Sequence, residues 1–179
     1  MHEVGAAKGE ITTWEPGLGM MGWGQLDNVA RSVATPLHAR AFVVKDTDSG
    51  DRLAIVCIEL CFCSIALRDR VCEILRNEHA ALGLDLPNVM ITATHTHSGP
   101  GGFTHYPFYN VTIPGFAPTV LEGLARKIAG VIVEADAARV PATLRWAEEA
   151  FAPSIEVAFN RAVPSYNRNP DVTPLSEHE

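Results

Sequence analysis

The sequence predicts an α/β protein, a layered mixed sheet with flanking helices. Three observations carry that expectation. Runs rich in Val, Ile and Phe alternate with helical periodicities along the 179 residues. A short apolar strand, NVMIT at 88–92, lies between two helical patterns, as a buried strand of a layered domain does. The composition, 47% hydrophobic and 20% charged, is that of a globular chain long enough to bury a real core.

The elements follow in order. Residues 1–36 are rich in Gly and turn signals (GLGMMGWGQ, then TP) and read as an extended lead-in with loops. Ala39–Lys45 (ARAFVVK) and Leu53–Leu60 (LAIVCIEL) are strand-like, and the turn DTDSGD between them predicts a hairpin. Ser64 is a helix N-cap, and Ile65, Leu67, Val71, Ile74 and Leu75 follow at helical spacing, with a stop at Leu82-Gly83. Asn88–Thr92 is the buried strand. A long Gly-, Pro- and aromatic-rich loop then runs from Thr94 to about Pro118, and loops of that length in compact domains are functional or disordered. Its Phe103, Tyr106, Phe108, Tyr109 and Phe116 make it too aromatic for disorder. Thr119–Ala138 is a helix with Leu121, Leu124, Ile128, Val131 and Ile132 facing inward. Ala142–Ala147 (ATLRWA) reads as a last strand, and the chain turns irregular after Pro153.

Charge excludes one class of partner. The net charge is −7 and the 14 Lys and Arg residues are scattered, so no basic patch exists to neutralise phosphates, and nucleic acid is not expected as a partner. No apolar run approaches the roughly 20 residues that span a bilayer. The N-terminus shows no signal-peptide stretch, so either the mature protein is not exported or its start has been trimmed, and localisation stays open. Cys57, Cys61, Cys63 and Cys72 have no CxxC spacing and no neighbouring histidine to complete a zinc site. They read as small buried hydrophobes.

The chemistry concentrates in ATHTHSGPGG. His95 and His97 are one residue apart, and i, i+2 side chains of extended backbone share a face. At the end of a buried strand, two such imidazoles can serve one metal, or a metal ligand plus a proton handler. They can also be a chance pair on a polar loop. The glycines that follow let backbone approach a ligand closely and offer N–H groups to a developing oxyanion. His105 lies in the same loop. Asn110-Val-Thr112 fits a glycosylation acceptor pattern, which needs a secretory context.

With these residues in view, the chain resembles the N-terminal part of the catalytic domain of the neutral/alkaline non-lysosomal ceramidases. The collinear pieces are GMMGWGQ (19–25), ARAFVV (39–44), NVMITATHTHSGPGGFTHYPFYNVTIPGF (88–116) and NRAVPSYNRNPD (160–171). The resemblance implies hydrolysis of the amide bond of ceramide, at a zinc ion bound by two histidines, a glutamate and a tyrosine. It maps His95 to a zinc ligand and His97 to a catalytic position beside the metal. It maps Arg161 to a substrate-binding position, and the backbone carbonyl of Ala34 to a second, structural ion, Ca2+ or Mg2+. The implied partner is a ceramide-like lipid, reached by peripheral membrane contact.

Family enzymes are several times longer, so residues 1–179 read as an N-terminal fragment of the catalytic domain. The remaining zinc ligands and the serine-containing catalytic segment are expected beyond Glu179. RSVATPLH at 31–38 and CFCS at 61–64 depart from the family pattern. The competing functions are a metal-dependent hydrolase of another ester, amide or phosphoester, and an inactive truncated fragment.

Overall fold

The hairpin expected from ARAFVVK and LAIVCIEL forms the middle of a five-stranded sheet, seen in a computed structural model that describes residues 1–152, 155, 163–171 and 173–174. Two compact units divide the chain, residues 1–144 and residues 145–179. In the first, strand β1 spans His2–Glu10, β2 His38–Asp46, β3 Arg52–Ile58, β4 Val89–Ala93 and β5 Val140–Ala142, in the spatial order β4-β3-β2-β1-β5. The sheet is mixed: β3 and β4 are parallel and the other neighbours antiparallel.

β1 corrects the reading of residues 1–36 as a loop-rich lead-in. HEVGAAKGE is poor in β-branched residues and carries two glycines, so its strand signal is weak. The reason is overhead. A Cβ at Gly5 would collide with the backbone of Ala135, and one at Gly9 would strike the Val131 side chain. Helix α2, Pro118–Ala137, lies directly on this strand. The small residues that hide the strand from a propensity reading are those that let the helix approach.

Helix α1 spans Ile65–Glu78 and starts where Ser64 predicts, its hydroxyl accepting the Leu67 N–H at 3.1 Å. Leu67, Val71, Ile74 and Leu75 are buried, but Ile65 is 57% exposed, a departure from the expected inward set. The helix ends before Leu82. A single 3-10 turn, Ala80–Leu82, carries the chain to Gly83 at φ 62°. In α2 all five expected inward residues are buried. A buried Asp136 near its C-terminus accepts from Arg52 Nε of β3 at 3.0 Å and pairs with Arg139. The last strand is shorter and earlier than ATLRWA suggests. It stops at Ala142 after three residues, and residues 143–147 have no strand pairing.

α1 and α2 pack against each other over one face of the sheet. Ala39, Ala41, Val43, Ala54, Val56 and Ile58, alternating along β2 and β3, are wholly buried beneath them. In the second unit the described residues include a short helix α3, Val163–Tyr166. Arg161 lies outside the described residues.

Candidate metal centre

β3 and β4 run parallel, so their carboxyl ends leave the sheet at one edge, with Ile58 opposite Ala93. The Thr94 N–H still donates to the Ile58 carbonyl at 3.0 Å. Past that bond the two chains separate, and their exits carry Cys61 and His95. This is where open α/β sheets place ligands.

His95 is held in a defined pose. Its Nδ1–H donates to the Cys61 carbonyl at 2.7 Å, which leaves Nε2 as the nitrogen with a free lone pair. Its backbone sits at φ 63°, the one non-glycine residue at positive φ among those described. Such a conformation costs of order 1–3 kcal/mol and persists where the surroundings impose it. His97 turns its own Nε2 toward His95 Nε2 at 3.3 Å, with the two rings edge to face, centroids 4.8 Å apart at 80°.

That spacing suits a metal. Two nitrogens on a tetrahedral zinc, each at about 2.0–2.1 Å, lie roughly 3.4 Å apart. His95 is exposed and His97 half-buried, so the shared side of the two rings is accessible. The donor chemistry therefore fits a divalent ion of the imidazole-binding kind.

Cys61 is the residue that sequence reasoning missed. Its Sγ lies 3.8 Å from His95 Nδ1, and Cys61, His95 and His97 are the group of potential ligands that come together among the described residues. The statement that no histidine neighbours the cysteines holds along the sequence but fails in space, because the parallel β3–β4 pairing spans the 34 positions between them. The thiol lies on the Nδ1 side of the His95 ring, and burial pushes its pKa up. The Cys61 carbonyl fixes the His95 ring through Nδ1–H.

The loop expected to be functional holds several other side chains. Phe103 is wholly buried in the core, worth roughly 1.5–3 kcal/mol of burial, which settles its part as packing. Its carbonyl accepts from the Ser64 hydroxyl at 3.0 Å, tying the loop to the start of α1. Phe108 is 81% exposed, and Tyr106, Tyr109 and Phe116 are also exposed. His105 stacks edge-on against Phe116 and lines a separate cavity along α1, so it does not join His95 and His97. The Asn110 amide donates to the Thr104 carbonyl at 2.8 Å, which makes it part of the loop's own packing. Ala34 lines a cavity of about 350 Å3 to which Ser98 and Gly99, just past the histidines, also contribute.

Beside the histidine edge, Glu59 closes the entry to β2. Its carboxylate accepts from the His38 N–H at 2.7 Å, from His38 Nδ1 at 3.2 Å and from Arg40 Nη1 at 2.7 Å. Burial pushes its pKa up, but the Arg40 guanidinium and the two His38 donors outweigh that and hold it below its ordinary value.

Comparison with known proteins agrees across the chain. The family model described as neutral/alkaline non-lysosomal ceramidase, N-terminal, matches residues 2–174. The neutral ceramidase of Pseudomonas aeruginosa is 33% identical over 171 residues, covering 96% of this chain and 25% of that protein. That of Mycobacterium tuberculosis is 33% identical over 175 residues, covering 95% and 26%. Among solved structures, a ceramidase complexed with C2 superposes with a TM-score of 0.81 at 32% identity, over 96% of this chain and 26% of that one. The crystal structure of the Pseudomonas aeruginosa neutral ceramidase gives a TM-score of 0.80 at 32% identity. The chain spans about a quarter of the length of the curated relatives it matches.

Proposed function

Because the chain belongs to the neutral/alkaline non-lysosomal ceramidase family, we propose that its histidine edge is part of a zinc centre that hydrolyses the amide bond of ceramide, yielding sphingosine and a fatty acid. The observation that carries this reading is the pair of Nε2 atoms 3.3 Å apart past the carboxyl end of β4, with His95 locked through Nδ1 to the exit of the parallel β3. Zinc, when bound, polarises the amide carbonyl and brings the pKa of its water to about 7. His95 holds the metal through Nε2. His97, beside it, takes and returns the proton that the reaction moves, work worth roughly 100- to 10,000-fold. Arg161 anchors a carbonyl or hydroxyl oxygen of the substrate through its guanidinium.

Zinc sites of this kind take three or four protein ligands, of which His95 and His97 are at most two, and this chain alone is expected to turn over little ceramide. The Ala34 carbonyl holds a second, structural Ca2+ or Mg2+. Support for that comes from the family resemblance alone, because the cavity that Ala34 lines has Arg31 and no carboxylate in its wall. No helix among the described residues is long and apolar enough to cross a membrane. Lipid is met by peripheral contact, and the exposed Phe108 and Val111 in the loop that follows the histidines support this.

The 3.3 Å spacing also favours a second reading, in which both imidazoles ligate the ion. Zinc titration separates the two. His95→Ala is expected to abolish zinc binding by this chain, and ceramide hydrolysis in the longer polypeptide that completes the centre. His97→Ala retains zinc but loses turnover on the first reading, and loses both on the second. Zinc binding indifferent to His95→Ala is the result that overturns the assignment, and robust ceramide turnover by the 179 residues alone overturns only the expectation that this chain turns over little ceramide.

A further inference from the structure

The segment Gly19–Trp23 lies antiparallel along residues 97–101. Gly101 N–H donates to the Gly19 carbonyl at 2.9 Å, Met20 bridges Pro100, and Met21 N–H donates to the Gly99 carbonyl at 3.2 Å. One step further along the same register, the backbone bond is replaced by a side chain: Trp23 Nε1–H donates to the His97 carbonyl at 2.7 Å. The Trp23 ring also meets the His97 imidazole edge-on, centroids 6.2 Å apart at 87°. Between these contacts lies Gly22, at φ 94°. A Cβ there would stand 2.5 Å from His97 Nδ1 and 2.6 Å from its Cε1. The imidazole thus occupies the space that any side chain at position 22 would need.

We propose that Gly22 and Trp23 are the positioning residues of His97, a clasp that presses its ring into the one orientation that points Nε2 at His95. The two histidines are then oriented independently. His95 is set from the β3 exit by the Cys61 carbonyl, and His97 is set by a segment 74 residues earlier in the chain. An imidazole has two soft side-chain torsions, so without the clasp it samples several rotamers. A catalytic group needs its geometry held by packed neighbours within a fraction of an ångström. Glycine is required twice at position 22, by its positive φ and by the ring above it. The part that this orientation plays in catalysis rests on the reading of His97 given above, while the clasp itself does not.

The test is side-chain nuclear magnetic resonance of the 179-residue chain without metal or substrate. The Trp23 indole N–H is expected to exchange with solvent more slowly than free indole, although the residue is 50% exposed. Trp23→Phe, which keeps a ring but removes the donor, is expected to shift the His97 ring signals and leave the His95 Nδ1–H signal in place. Gly22→Ala is expected to abolish the cross-peak between the His95 and His97 rings. An unchanged His95–His97 cross-peak in both variants overturns the proposal. So does a spectrum that collapses throughout in both, because the two residues would then support the fold rather than the ring. A chain that binds no zinc but passes this test loses the zinc reading alone. One that binds zinc with an unmoved His97 in both variants loses the clasp alone.

Discussion

At the scale of the residue, His95 does two things that oppose each other. It turns Nε2 toward His97, where we propose a metal binds, and it holds a backbone angle of φ 63° that its Cβ disfavours. Left-handed backbone costs an L-residue about 1–2 kcal/mol relative to glycine. His95→Gly is therefore expected to be more stable than His95→Ala by about 1 kcal/mol, measured by urea denaturation without metal, although both lose the ligand. Equal stabilities would show that the loop relaxes and that the angle is not imposed. The histidine pair was legible in the sequence because both imidazoles lie within three residues. The angle was not, since it belongs to a residue whose side chain is held by the Cys61 carbonyl, 34 positions earlier in the chain.

At the scale of the element, the β3 exit carries the support for the site. Glu59, one residue past β3, joins His38 and Arg40 of β2 through its carboxylate. Its pKa in the folded protein is depressed below the ordinary 4.5. A depressed carboxylate binds protons less readily folded than unfolded, so its contribution to stability is full above 4.5 and is lost as pH falls through and below that value. The expected outcome is that Glu59→Gln lowers stability at neutral pH and flattens the decline on acidification. Parallel urea titrations between neutral and acidic pH measure it. An identical pH slope in the variant would show that the cluster contributes nothing. The hairpin holding Arg40 and Glu59 was readable from alternation and its DTDSGD turn. Which polar side chains meet across it depends on the register, with His38 just outside the pairing of Ala39 with Ile58.

At the scale of the whole molecule, the sheet is covered unequally. One face lies under α1 and α2. On the other face Phe42 stands opposite Ile55, and Ile55 opposite Met90, across three strands. Phe42 is 51% and Met90 50% exposed, with Leu53 beside them at 42%. Contiguous apolar surface of this kind marks an interface or a liability. The 179-residue chain is expected to bind an apolar fluorescent dye, and Phe42→Lys combined with Met90→Lys should cut that signal while leaving the far-ultraviolet circular dichroism intact. Dye binding unaltered by the pair would locate the patch elsewhere.

What the sequence by itself determined is local or periodic. Helical spacing located α1 and α2, a capping serine and a turn placed their neighbours, and THTH marked the two imidazoles that the structure brings together. Each of those signals is written within a few residues, where chain geometry alone sets which side chains share a face. Only the tertiary structure decided that HEVGAAKGE is a strand, that Cys61 orients His95, and that Gly22 and Trp23 bracket His97. Those depend on close approach between segments 34 to more than 100 residues apart. A glycine that admits a helix or an imidazole looks, in one dimension, the same as a glycine in a turn.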